Sequence, residues 1–220
     1  MTQPDYFSDR SHLLLLGLTG ARTRYGGKTA LATWLADTHG RASNDVVIFA
    51  NYKLDDEPER RADAVATTVD ELAEPIRRGD DFICLSPTDA DWEAVSRRLM
   101  KAVRALPDDM SIMVVHDETP ELDADAMQTF ARVLGNGSDC KSVFISQEPG
   151  AAPDTVRSQS ILVWVGPIQS NYRHVFRAND RENHFDYIAE SHDPYVWTVM
   201  TGPGDEDRDT YDPVPEEYAG

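Results

Sequence analysis

The feature that most constrains this chain is a regular alternation of short, nearly continuous apolar runs with longer segments of helical spacing. The apolar runs are "HLLLLGL" (12–18), "DVVIFANY" (45–52), "DFICLSP" (81–87), "SIMVVHDE" (111–118), "KSVFISQ" (141–147) and "SILVWVGP" (160–167). Between them, helices are predicted over 27–39, 68–78, 89–106 and 123–134; in the third, Trp92, Val95, Leu99 and Val103 recur every three or four residues, as one buried helix face requires. Strands apolar on both sides need cover on both sides. That arrangement is a mostly parallel sheet between two layers of helices, an α/β fold. Later, "YRHVFRANDRENHFDYIAE" (172–190) fits a helix or a hairpin, and "YVWTVMTG" (195–202) fits one more strand. One domain spans 1–202, followed by a short irregular C-terminal extension, 203–220, expected to be acidic and flexible.

The first apolar run leads into "GLTGARTRYGGKTA" (17–30), a glycine-rich turn running into a helix. Such a turn aims backbone N–H groups and the positive end of a helix at one place, which suits a polyphosphate. Lys28 would reach the outer phosphates and the Thr29 hydroxyl would ligate Mg²⁺, with Gly20, Gly26, Gly27 and Ala30 completing the loop. Position 22, where the usual Gly-x-x-x-x-Gly-Lys-[Ser/Thr] spacing demands glycine, is arginine. Gly20 therefore opens a longer arch. About 90 residues beyond Lys28, "SIMVVHDE" ends in Asp117 and Glu118 at the carboxyl end of a strand, where ligands of open α/β sheets bind. Asp117 would hold Mg²⁺, and Glu118 would orient or deprotonate an attacking water. Gln147, ending the next apolar run, would lie beside them and sense the terminal phosphate or place the water.

The chain has 220 residues and a formal net charge of −18, from 26 Asp and 13 Glu against 17 Arg and only 4 Lys. Such Asp-rich, Lys-poor composition resembles that of proteins from extreme halophiles, whose charged surfaces keep them soluble in salt. It removes any argument for nucleic-acid binding from overall charge. A local basic patch such as "YRHVFR" (172–177) can touch DNA backbone or be a solvated face. Two cysteines make no disulfide framework and fit a reducing compartment. Leu13–Leu16 is too short to span a bilayer and the start lacks a basic leader, so a cytoplasmic or virion-associated location is expected. His174, His184 and His192 are too dispersed for a zinc site, and His116, in mid-strand, reads as a packed side chain.

In the order loop, "VVHDE", strand ending "ISQ", proline-containing segment and "ILVWVGP", the chain resembles the FtsK/HerA superfamily of P-loop ATPases. The resemblance covers roughly 13–167 and, in its short length, is most similar to the genome-packaging ATPases of tailless, membrane-containing icosahedral viruses, here of a haloarchaeal host. It implies a P-loop NTPase three-layer sandwich (RecA/FtsK-like) that hydrolyses ATP with Mg²⁺ and moves double-stranded DNA as a homo-oligomeric ring, with a virion vertex or membrane protein as possible partner. Lys28, Thr29, Asp117, Glu118 and Gln147 carry over residue by residue. Glu148 stands where the family commonly has arginine. The arginine supplied to a neighbouring subunit has no obvious counterpart; Arg132, Lys141, Arg157 and Arg173 are candidates and Arg157 is chosen. Rival readings are a nucleotide-dependent assembly or secretion switch with slow turnover, a small-molecule kinase, and a degenerate P-loop fold with a structural role.

Overall fold

Alternate residues of the apolar runs feed two separate cores. Leu14, Leu16, Ile48, Val114 and Phe144 pack on one side of a sheet, while Leu13, Leu15, Phe49, Val115 and Val143 pack on the other. Both faces being apolar, every central strand is covered twice, which is why these runs lack the polar alternation of a half-exposed sheet. The computed structural model describes residues 12–17, 27–134, 139–147, 150–178, 181–191, 196–212 and 214–218.

In chain order the elements are β1 (His12–Gly17), α1 (Lys28–Trp34), α2 (Arg41–Ser43), β2 (Val46–Ala50), α3 (Asp56–Arg61), β3 (Ala64–Ala66), α4 (Ala73–Arg78), β4 (Phe82–Leu85) and α5 (Trp92–Arg104). They continue as β5 (Ile112–His116), α6 (Ala124–Thr129), β6 (Cys140–Ser146), α7 (Asp154–Gln159), β7 (Ser160–Val165), α8 (Arg173–Ala178), α9 (Glu182–Ser191), β8 (Trp197–Met200) and β9 (Arg208–Tyr211). The nine-stranded sheet has the order β3-β4-β2-β5-β6-β1-β7-β8-β9. Pairing is parallel from β3 to β7 and antiparallel from β7 to β9. Helix α1 covers one face through Leu31 and Ala32, and α5, α6 and α9 cover the other through Leu99, Met127 and Ile188. The P-loop NTPase three-layer sandwich expected from the sequence is the fold observed.

Four details go beyond the sequence reading or differ from it. Helix α1 does not stop at residue 39; a π-helical turn, Leu35–Gly40, leads it into α2. Gly40 is needed there because a Cβ would sit 2.7 Å from Val47 Cγ2 and 2.9 Å from Met113 Sδ. The acidic stretch after β2 holds α3 and the edge strand β3, too short for a periodic signal. Arg173–Ala178 and Glu182–Ser191 form helices, and Phe176 and Phe185 pack in the row Trp164–Phe176–Phe185 at ring separations of 5.5 and 5.7 Å. Finally, the sheet continues past residue 202 into β9, and Tyr218 is buried, its hydroxyl donating to Asp37 Oδ2 at 2.7 Å with the Arg61 guanidinium 4.1 Å from its ring centre.

Among the described residues no helix is long and apolar enough to cross a membrane. Cys84 and Cys140 are buried and free.

Candidate active site

Strand order decides which residues can meet. β6 lies between β1 and β5, and β5 lies beside β2, so the carboxyl ends of four adjacent parallel strands share one edge of the sheet. In register, Leu16 pairs with Ser146, Phe144 with His116, and His116 with Ala50. The described residues beyond these four strand ends are therefore presented together: Lys28, whose side chain returns to the end of β1, Gln147, Asp117–Glu118 and Asn51–Lys53.

Gly17 ends β1 where the backbone must run against its neighbour; a Cβ there would meet the Val165 carbonyl oxygen at 2.5 Å. Gly27 opens the helix with φ 156°, which glycine adopts without penalty. Lys28 then turns back over the strand it follows, and its Nζ donates to the Gly17 carbonyl at 2.7 Å. The residue is only 6% exposed. Burial, reinforced by the charge of Lys53 and opposed by Asp117, brings its pKa down to about 8. Thr29 and Ala30, half-buried, occupy the same first turn. Gly20, Gly26, Arg22, Arg24 and Glu148 lie outside the described residues.

Asp117 is fully buried; its amide donates to the Ala50 carbonyl at 3.2 Å and its Oδ1 accepts from the Glu118 amide at 3.1 Å. Its other oxygen, Oδ2, has no hydrogen-bond partner among the described residues. Burial lifts the carboxyl to about 6, with Asp55 adding to the rise and Lys53 and Lys28 opposing it. A buried carboxylate oxygen left without a donor is costly unless a cation or water completes it. Mg²⁺ with a nucleotide needs only one or two protein oxygens, the phosphates and waters supplying the rest. The donor set of Asp117 and Thr29 fits that demand, and it needs no dedicated cage; among the described residues no group of three or more His, Cys, Asp or Glu is placed to hold a metal ion.

Glu118 adopts left-handed backbone, φ 53°, which is uncommon for a residue with a Cβ and is concentrated at functional sites. It is 8% exposed, and its Oε1 accepts from Gln147 Nε2 at 2.7 Å while also pairing with Lys53. The structure thus brings Lys28, Asp117, Glu118 and Gln147 to one place. Arg157, on α7, shares no hydrogen bond or ion pair with them and pairs instead with Asp154. In the basic segment, Arg173 pairs with Glu182 and Asp186, and Arg177 with Glu182, so its cations are largely matched. His116 is buried between Phe130 and Phe144, with ring separations of 4.4 and 5.1 Å.

Lys53 and Tyr52 were not singled out from the sequence. Tyr52 is 2% exposed, and burial together with the charge of Asp117 pushes its phenol well above the usual range. The signal that could have found them is the polar ending of "DVVIFANYK", which mirrors the ending of "SIMVVHDE".

Together the doubly covered sheet, the glycine-led helix with its buried lysine and the carboxylates two strands away define the P-loop NTPase fold. Among solved structures, the chain is similar to the genome packaging NTPase B204 of Sulfolobus turreted icosahedral virus 2 in complex with ATP-gammaS, with TM-score 0.70 and 10% identity over 94% of this chain and 98% of that one. It is similar also to B204, the DNA-packaging ATPase of Sulfolobus turreted icosahedral virus, with TM-score 0.68, 10% identity and coverage of 94% and 100%. The pCW3 conjugation coupling protein TcpA with ATPgS matches with TM-score 0.53 and 11% identity over 93% of this chain and 60% of that one. No known family model matches the sequence, and no curated protein does.

Proposed function

We propose that this chain is an ATP-hydrolysing motor of the FtsK/HerA type that translocates double-stranded DNA, acting as a homo-oligomeric ring in viral genome packaging. The observation that carries the reading is the convergence of Lys28, Asp117, Glu118 and Gln147 on one sheet edge, in a fold shared with a viral genome-packaging NTPase.

In this reading the substrate is Mg²⁺-ATP, held by the loop amides, Lys28, Thr29 and Asp117. Bound Mg²⁺ neutralises charge on the phosphates. Lys28 exchanges the Gly17 carbonyl for a phosphate oxygen, and the anion restores the full charge that burial opposes. Glu118 orients a water in line with the terminal phosphate, and Gln147 fixes Glu118. Arg157 is assigned to the neighbouring subunit's site. Its partner Asp154 is 92% exposed at the side chain, so their ion pair costs little to break. DNA contact must come from local cations, given the net charge of −18. The ring would work in the cytoplasm or at a virion vertex, with a vertex or membrane protein as its seat.

The test is ATP hydrolysis in molar KCl, with and without double-stranded DNA, for the native chain, Lys28→Ala and Glu118→Gln. Turnover that rises with DNA and is lost in both variants supports the motor. Binding without turnover supports an assembly switch instead, and absence of nucleotide binding makes the glycine-rich loop a mere turn.

A further inference from the structure

Lys53 is presented to the site by a turn built for the purpose. Asn51, fully buried at the end of β2, closes that turn on itself: its Nδ2 donates to the Asp55 carbonyl at 2.9 Å, and its Oδ1 accepts from the Asp55 amide at 3.0 Å. A further contact from Nδ2 to Ser86 Oγ, 3.3 Å, ties the turn to the end of β4, and the Leu54 amide donates to the Asn51 carbonyl at 3.3 Å. Leu54 itself is held at φ 58° with its side chain 54% exposed. Left-handed backbone at a leucine persists only where its surroundings over-determine it. The loop stores this strain without burying Leu54. Its gain is the placement of the preceding side chain, whose amine pairs with Glu118 Oε1.

Glu118 Oε1 thus has two partners, an ion pair with Lys53 and a hydrogen bond from Gln147. Its side chain is only 10% exposed, so the pairing is screened far less than a surface ion pair. With Oε1 held twice, Oε2, which has no hydrogen-bond partner among the described residues, is left to accept from a water. A phosphoryl transfer through a loose transition state asks more of a carboxylate's position than of its basicity, so holding it still is worth more than leaving it uncharged by neighbours.

We infer that Lys53 is a positioning residue for hydrolysis: together with Gln147 it fixes the Glu118 carboxylate so that its free oxygen meets the attacking water. This rests on the hydrolytic reading above and deepens it. No bond is made or broken at Lys53.

The test has a kinetic and a chemical arm. In the kinetic arm, Lys53→Met lowers kcat about 10- to 100-fold, within the span of a misplaced general base, while KM for ATP changes less than about threefold. Lys53→Arg, which keeps the charge and the reach, restores most of kcat. Unchanged kcat in Lys53→Met overturns the inference while leaving the hydrolytic reading intact, and so does a rise in turnover without DNA, which would make the ion pair a lock. In the chemical arm, the four lysines are acylated under limiting N-hydroxysuccinimide ester and quantified by peptide mapping. Lys53 labels several-fold more slowly in the native chain than in Glu118→Ala. Equal labelling overturns the ion pair itself, and this arm decides even if the native chain proves unable to hydrolyse ATP.

Discussion

Replacing Gly40 with alanine sets two effects of known size against each other. In a helix, Gly→Ala ordinarily stabilises by about 0.5–1 kcal/mol, because alanine loses less backbone entropy on folding. At Gly40 the added Cβ would stand 2.7 Å from Val47 Cγ2 and 2.9 Å from Met113 Sδ, both fully buried side chains on the central strands β2 and β5. The thioether can swing aside, but a β-branched valine on a strand paired on both sides cannot. Overpacking of this kind costs about 1–3 kcal/mol. Overpacking wins, and the net loss is about 1–2 kcal/mol. Urea denaturation followed by tryptophan fluorescence, with KCl held constant, reads the loss as a lower midpoint at unchanged slope. Pairing Gly40→Ala with Val47→Ala separates the clash from other effects, since the second change opens the space the new methyl needs and the two costs become non-additive. A midpoint raised by Gly40→Ala alone would refute the close approach of this helix to the sheet.

The site and the chain end each give one further expected outcome. Lys28→Met is expected to abolish hydrolysis yet raise the urea midpoint at pH 7. The folded amine titrates near 8 against an ordinary 10.5, so the native charge penalises folding fully below about pH 8 and the penalty fades as pH rises through 10.5; a gain that persists above that range would show another cause. Tyr218→Ala removes a 5% exposed ring, its bond to Asp37 and its contact with Arg61, and is expected to cost about 2 kcal/mol by the same denaturation assay; a change below about 0.3 kcal/mol would mean that the last residues do not dock.

Much of the fold was legible because its signals are local. Six apolar runs became β1, β2, β4, β5, β6 and β7, and the spacing of Val95, Leu99 and Val103 placed α5 with those side chains buried. Asp117, Glu118 and Gln147 were visible because polar residues at the carboxyl ends of buried strands have few structural reasons to be there. Lys53 was hidden for a topological reason. That β2 lies directly beside β5 is a fact of strand order, and no period in the sequence states it. Tyr218 was hidden because acidic, proline-containing surroundings outweigh one aromatic residue in any composition window, although that residue and Val214 are both buried against the core. Residues 172–190 stayed ambiguous because two short helices packed by aromatic rings give neither a clean 3.6 nor a clean 2.0 repeat.

The placement of β1 has a consequence in time. It is the first described strand, yet its two neighbours are β6 and β7, with Leu13 opposite Val143 and Ile161. At a synthesis rate of about 5–20 residues per second, its partners emerge roughly 6 to 30 seconds after it does. Until then, four consecutive leucines have no sheet to enter. Closing so long a loop is a slow step, since non-local pairing must bear its entropy before any contact rewards it. The edge that gathers Lys28, Asp117 and Gln147, which needs β1, β5 and β6 side by side, is therefore among the last parts of the molecule to exist. A nascent chain with β2, β4 and β5 already assembled would be folded over only about a third of its length, residues 46–116 of 220, and would still lack the neighbours of β1.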